Sequence, residues 1–135
     1  MNRVLILCFL ILLSGCSTSM VKYTDSRPVP VDERETAYKK YAQQSEKSGI
    51  VIVVRDSGFM GSIGDVDFLI NNEKIGELST KESMKLYLEP GRYSISAKGS
   101  HLRTKLLIVE PNNTYYFRIS IVMERGLVLE QVVSL

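Results

Sequence analysis

Alternation of apolar and polar residues with a period of two is the feature that most limits what this chain can fold into. The pattern begins after Ile50 and recurs to the end of the chain, for example at Val66, Phe68 and Ile70. Successive side chains of a β-strand point to opposite faces of a sheet, so this period is typical of strands with one buried face. Since no window after Ile50 keeps a helical period, we expect this region to consist of strands.

Residues that favour turns separate these strands. The turns are expected at residues 71–73, at Pro90-Gly91 with Gly91 in the positive-φ position of a type II turn, and at residues 111–113 with Asn113 left-handed. The β-branched run of residues 50–54 is expected to be buried on both faces. Seven to eight short strands with this spacing predict an all-β domain over residues 49–135, either an antiparallel immunoglobulin-like sandwich or a small barrel.

The start of the chain has the pattern of a bacterial lipoprotein signal peptide. Arg3 precedes an apolar run from Val4 to Leu13, and Ser14-Gly15 lead into Cys16. This resemblance to a lipobox implies that residues 1–15 are removed and that Cys16 receives lipid. An uncleaved anchor is the alternative, although a transmembrane helix needs about 20 apolar residues and this run is shorter. Ser17, where Gram-negative sorting signals for the inner membrane have Asp, favours the periplasmic face of the outer membrane.

Cysteine and charge composition exclude several classes of function. Cys8 lies in the segment to be removed and Cys16 would be consumed by lipid, so the remaining domain would have no thiol, disulfide or thiolate metal site. The chain has 17 Lys and Arg residues against 15 Asp and Glu, and loss of Arg3 leaves 16 against 15. Such a balance gives no concentrated basic field, so we expect no nucleic-acid binding.

Residues 16–48 are expected to connect the lipid to the domain. Residues 17–31 are polar and interrupted by proline, which predicts a flexible tether. Asp32 is a candidate N-cap for a helix of about three turns that ends at Gly49. Its apolar stripe is thin, so a solvated spacer and a partner-binding helix both remain open.

The order of several motifs resembles a known family. The motifs lie at residues 50–56, 58–62, 67–78, 89–98 and 110–118. Together they are similar to the bacterial lipoprotein family catalogued as domain of unknown function 2846, and more loosely to immunoglobulin-like PEGA domains. The resemblance implies an all-β domain behind a lipid anchor. It transfers no catalytic residue, because that family has no established activity.

Candidate catalytic residues are few. His101 is the only histidine, and no second His or Cys is available to complete a metal site with it. Asp65 and Asp67 alternate on one predicted strand, with Asp56 near in sequence. Such carboxylates are used in glycoside cleavage or calcium binding, but a basic residue from a neighbouring strand would neutralise them equally well. We therefore expect no enzymatic activity, no cofactor and no metal.

Candidate contact residues lie in two loops. Phe59 and Met60 are apolar residues in a glycine-rich segment, where they either cover the open end of the core or anchor a partner. Arg103 and Lys105 belong to a basic cluster with Arg92, Lys98 and His101, which either recognises an anionic partner or protects an edge strand.

The function expected from these patterns is non-enzymatic. The chain is interpreted as a lipoprotein of the cell envelope that binds another envelope protein or a glycan through loops of a β-sandwich. A purely structural envelope component is the first alternative, and a carboxylate-based hydrolase is the second.

Overall fold

The computed structural model describes residues 19–57 and 64–135, and these residues form two β-sheets. The strands are β1 (Arg27–Pro28), β2 (Gly49–Arg55), β3 (Val66–Ile70), β4 (Glu73–Leu78), β5 (Glu82–Leu88), β6 (Gly91–Lys98), β7 (Leu102–Val109), β8 (Thr114–Val122) and β9 (Gly126–Val132). Between Ser19 and β2 the chain forms three short 3₁₀ helices, at Tyr23–Asp25, Val31–Glu33 and Thr36–Tyr41. The predicted strands correspond to β2–β9, and β1 is additional.

The two sheets differ in size, and only the larger one contains parallel strand pairs. The order β1-β5-β2-β8-β9 defines a five-stranded sheet, and β4-β3-β6-β7 a four-stranded sheet. Neighbouring strands are antiparallel except for two pairs, β1 with β5 and β2 with β8, which are parallel. In the part of the chain that the structure describes neither sheet closes on itself, so the predicted sandwich is confirmed and the barrel alternative is not adopted.

Asparagines set two of the chain reversals. Asn71 and Asn72 have φ angles of 50° and 64° and form the two-residue connection between β3 and β4, as the sequence predicted. After β7 it is Asn112, with φ of 60°, and not Asn113 that adopts the left-handed conformation. The type II turn expected at Pro90-Gly91 is also corrected. Gly91 lacks a positive φ there, because β5 and β6 lie in different sheets and the chain crosses between them.

The core lies between the sheets and continues onto the outer side of β2. Phe68 and Ile95 from one sheet and Phe117 from the other belong to one hydrophobic cluster, and all three are fully buried. On β2, Val51 and Val53 belong to this core, while Ile52 and Val54 form a second buried cluster with Val21. The expectation that residues 50–54 are buried on both faces is therefore confirmed for Val51–Val54.

The structure differs from the predicted flexible tether, because residues from Ser19 onward pack on the sandwich. Val29 is fully buried in the main core, and its N–H donates to the Ser83 carbonyl at 3.0 Å. The Arg34 guanidinium donates to the Val29 carbonyl through Nε and Nη2 at 2.9 and 2.7 Å. Burial of Val21 and Val29, together with pairing of β1 to β5, holds this polar stretch in place.

The expected helix is shorter than predicted. Asp32 lies inside the 3₁₀ turn Val31–Glu33 and is not its N-cap. In the following 3₁₀ helix, Thr36–Tyr41, only Ala37 is buried, and the helix rests on β4 and β5. Three-residue-per-turn helices make poor hydrogen bonds and stay short, which is consistent with the thin apolar stripe of this segment.

Candidate functional site

Arg103 connects the open edges of the two sheets. It lies near the start of β7, the edge strand of the four-stranded sheet, and faces β9, the edge strand of the other. Its Nε donates to the Leu127 carbonyl at 2.9 Å, and its Nη2 lies 3.5 Å from the Arg125 carbonyl. These bonds give Arg103 a structural role, since they hold β7 against the β8–β9 turn.

Lys105 lies beside Arg103 in the groove between β7 and β9. The groove has a volume of about 570 Å³ and is lined by Arg103, Thr104, Lys105, Glu124, Arg125, Leu127, Val128 and Leu129. Lys105 pairs with Ile95 in the β6–β7 ladder, so it points to the inner side of its strand. An inward-pointing charge on an edge strand prevents pairing with another chain, which is the edge-protection alternative that the sequence left open.

The predicted basic cluster is divided between the two faces of the β6–β7 hairpin. Arg103 and Lys105 share the inner side with the buried residues Leu107 and Val109. Arg92 lies on the opposite side, because it pairs with the exposed Ile108. The cations therefore do not form one continuous patch.

The side of this hairpin that faces away from the core is a surface that the sequence analysis missed. We call it the hairpin outer face and define it by the pairs Arg92–Ile108, Ser94–Leu106 and Lys98–Leu102 and by the exposed Thr104, whose partner Ser96 is buried. Leu106 is 85% exposed, Ile108 63% and Leu102 53%. A shallow hollow of about 370 Å³ lies there beside Arg92 and Ser94.

One sequence signal for the hairpin outer face exists. Residues 106–109 are apolar without interruption, and such a run is typical of a strand buried on both sides. On β7 only Leu107 and Val109 are buried, because β7 is an edge strand with nothing packed on its outer side among the described residues. In addition, no Asp or Glu occurs between Pro90 and Val109.

His101 is an exposed residue at the tip of the same hairpin. Its Nδ1 lies 3.1 Å from the Ser100 hydroxyl. Within residues 19–57 and 64–135, no group of three His, Cys, Asp or Glu side chains is placed to hold a metal ion.

The three candidate carboxylates are engaged in different structural contacts. Asp67 on β3 forms an ion pair with Lys74 on β4 at 2.9 Å, so a basic residue from the neighbouring strand does neutralise it. Hydrogen bonds to Glu77 and Asp67 raise the pKa of Lys74 above its usual range. Asp65 accepts a hydrogen bond from the Ser79 hydroxyl at 2.5 Å.

Asp56 is the buried member of the three. Its carboxylate forms an ion pair with Arg118 and accepts the Val21 N–H at 2.9 Å. Burial raises the pKa of Asp56 above its ordinary value, although the Val21 N–H and the Arg118 cation oppose that shift. This site ties the N-terminal segment to the end of β2 and the middle of β8.

A second buried charge, Arg55, was not singled out from the sequence. It ends β2, is 1% exposed, and its Nη1 donates to the Leu78 carbonyl of β4 at 2.6 Å. Burial lowers the pKa of its guanidinium, while the nearby charges of Asp65 and Glu82 act in the opposite direction. Since β2 and β4 belong to different sheets, Arg55 joins the sheets at one end of the sandwich.

Three predicted site residues lie outside the described residues. These are the lipidation residue Cys16 and the loop residues Phe59 and Met60. Among residues 19–57 and 64–135, no helix is both long and apolar enough to cross a membrane.

Comparison with known proteins gives one finding. The profile of the family described as "Protein of unknown function (DUF2846)" matches residues 44–131, which include β2–β8 and almost all of β9. No curated protein and no solved structure matches the chain. The family match covers the sandwich and most of the sequence, and the chain therefore belongs to the DUF2846 family.

Proposed function

We propose that this chain is a lipid-anchored, non-enzymatic domain of the bacterial cell envelope that binds an envelope protein. The proposed contact surface is the hairpin outer face. The observation that carries this proposal is the exposure of Leu106 and Ile108 side by side on an edge strand. Exposed apolar residues in a contiguous group on a soluble domain mark interaction surfaces.

The composition of the hairpin outer face indicates the chemistry of the partner. Leu102, Leu106 and Ile108 offer aliphatic contact, which a protein side chain complements better than a sugar hydroxyl does. Arg92 and Lys98 belong to the same face, and the whole hairpin lacks acidic residues. We therefore expect an apolar patch bordered by carboxylates on the partner, since complementary charges select the partner and orient the encounter.

The structural contacts of the three candidate carboxylates support the non-enzymatic part of the proposal. Asp56 and Asp67 are ion-paired, and Asp65 accepts a hydrogen bond from Ser79. A hydrolase needs one carboxyl group as acid and another as base or nucleophile on either side of a substrate. Here each group has a structural partner instead.

The anchor is supported by the lipobox pattern at residues 13–16. Lipid on Cys16 would hold the domain at a bilayer, since each buried methylene contributes about 0.8 kcal/mol and two or more chains give stable attachment. Replacement of Cys16 by Ser is expected to abolish incorporation of labelled fatty acid. Label that persists in this variant would refute the lipoprotein assignment.

Photo-crosslinking in intact cells tests the contact surface. A photoreactive amino acid at position 108 is expected to give crosslinked protein bands, and Leu106→Ser in the same chain is expected to weaken them. The matched control is Val133→Ser, which alters another highly exposed aliphatic residue, 96% accessible, that is not part of the hairpin.

The crosslinks also separate the alternatives. Because Leu106 is exposed, its replacement should leave the melting temperature nearly unchanged, so lost crosslinks would report lost contact. No protein crosslinks at all would favour a structural role, and crosslinks to glycan alone would contradict a protein partner.

A further inference from the structure

The N-terminal segment is fastened to one end of the sandwich from Ser19 onward. The Ser19 N–H donates to the Ser57 carbonyl at 2.7 Å, just beyond the end of β2. Two residues later the Val21 N–H donates to Asp56, and the Val21 side chain is buried against Ile52 and Val54. The path of the chain is therefore determined from its nineteenth residue.

This attachment leaves a very short link to the proposed lipid. Three residue steps separate Cys16 from Ser19, and a fully extended chain covers about 3.6 Å per residue, or about 11 Å in all. This step rests on the proposed lipidation of Cys16. With a link of that length, the lipid determines which end of the domain meets the bilayer.

We propose that one end of the sandwich, the anchor end, lies against the phospholipid headgroups of the membrane. The anchor end comprises Ser19, Ser57 and the turns at residues 79–81, 99–101 and 123–125. It is the end at which β2 and β8 finish, and the opposite end carries Gly49 and Thr114, where these two strands begin.

Contacts across the sandwich place the three turns together. The Lys81 N–H donates to the Arg55 carbonyl at 3.1 Å, so residues 79–81 lie beside the end of β2. A side chain at Gly99 would approach Leu127, and Arg103 binds the Leu127 carbonyl. The 99–101 and 123–125 turns are thus neighbours at the same end as Ser57.

The anchor end presents side chains that suit a headgroup layer. Met20 and Met123 are 77% and 75% exposed, and Leu102 adjoins the 99–101 turn. The exposed cations in or beside its turns include Arg27, Lys81, Lys98, Arg103 and Arg125, and the exposed carboxylates include Asp65 and Glu124. The excess of cations favours anionic lipid, while the apolar tips gain by entering the interface. The short link supplies the orientation, and the tips reinforce it.

Site-specific labelling of the full-length lipidated protein tests this orientation. The mature chain would have no free thiol, so one introduced Cys gives one labelled position. Ser100→Cys places a fluorophore at the anchor end, and Thr114→Cys places it at the opposite end, about 25 Å away along β8. Both residues are small, hydroxylated and exposed. Each labelled protein is reconstituted into phosphatidylcholine–phosphatidylglycerol vesicles that carry a headgroup-attached quencher.

Quenching at position 100 is expected to exceed quenching at position 114 several-fold. Equal quenching in protein that floats with the vesicles would overturn the orientation and leave the lipoprotein assignment intact, and so would two unquenched labels. Protein that fails to float and lacks acyl chains by mass spectrometry would overturn both. A Cys16→Ser protein without residues 1–15 and with the label at position 100 is the control, since it has neither lipid nor a second thiol and should lose flotation and quenching together.

Discussion

Replacement of Val29 by Ala tests whether the N-terminal segment belongs to the folded core. Val29 is fully buried among the core residues, and the change removes two carbon groups from it. At about 0.8 kcal/mol per buried carbon the lost transfer energy is about 1.6 kcal/mol, and the residual cavity raises the cost to about 2–2.5 kcal/mol. With an m-value of about 2 kcal/mol per molar urea, the unfolding midpoint should fall by about 1 M.

Val31→Ala is the matched control, because the same chemical change occurs two residues later. Val31 is 77% exposed, and its replacement should alter the free energy of unfolding by less than about 0.5 kcal/mol. Both variants are measured by equilibrium urea unfolding with fluorescence or circular dichroism. Equal midpoints for the two variants would refute the packing of this segment and restore the flexible tether that the sequence predicted.

Two further predictions concern the buried ion pair and the core. Arg118→Gln leaves Asp56 buried without its cation, which should raise the pKa of Asp56 further. The free energy of unfolding should fall by about 3–5 kcal/mol at neutral pH. Lys40→Gln, which removes the cation of an exposed ion pair, should lower it by less than about 1 kcal/mol. In this variant the pKa of Asp56 in the folded state lies well above its pKa in the unfolded state. The loss in free energy of unfolding relative to wild type should therefore shrink as pH falls toward 4. A loss that does not change with pH in urea titrations would contradict this account. Phe117→Ala should lower the free energy of unfolding by about 3–5 kcal/mol, whereas Val133→Ala should leave it almost unchanged. Similar thermal unfolding of the two variants would rule out the inward placement of Phe117.

The strands could be predicted because each carries its own local signal. Burial on one side forces the alternation seen at Val66, Phe68 and Ile70, and the structure buries all three. The Asn71–Asn72 turn was equally readable, since a two-residue hairpin loop requires positive φ at both positions.

Features that depend on distant pairs were not readable from the sequence. Val29 is a single apolar residue among prolines, and nothing local indicates that it fills a gap in the core beside β5. The Asp56–Arg118 pair joins residues 62 positions apart, and only the parallel pairing of β2 with β8 makes them neighbours. Ser96 alternates like a solvated residue but is fully buried, with its hydroxyl 2.9 Å from that of Thr104.

The candidate site was missed for a related reason. An apolar run such as residues 106–109 indicates burial on both sides only if another element covers each side, and strand order decides that. Because β7 is the edge strand of the four-stranded sheet, Leu106 and Ile108 are exposed, although the apolar run around them is typical of a buried strand. Conversely, Arg103 resembled a free contact residue, yet it is bound to the Leu127 carbonyl across the sandwich.

The two proposals together limit where a partner can bind. A flexible tether of fifteen residues, as expected from residues 17–31, would let the domain search a radius of about 20 Å. The link from Cys16 to Ser19 spans at most about 11 Å, and Ser19 is hydrogen-bonded to the sandwich. The domain therefore lacks that freedom. β7 begins at the anchor end with Leu102 and extends away from it to Ile108, about 20 Å further. The apolar residues of the hairpin outer face would thus form a stripe that rises from the bilayer, and a partner that contacts the whole stripe must itself lie within one domain height of the membrane.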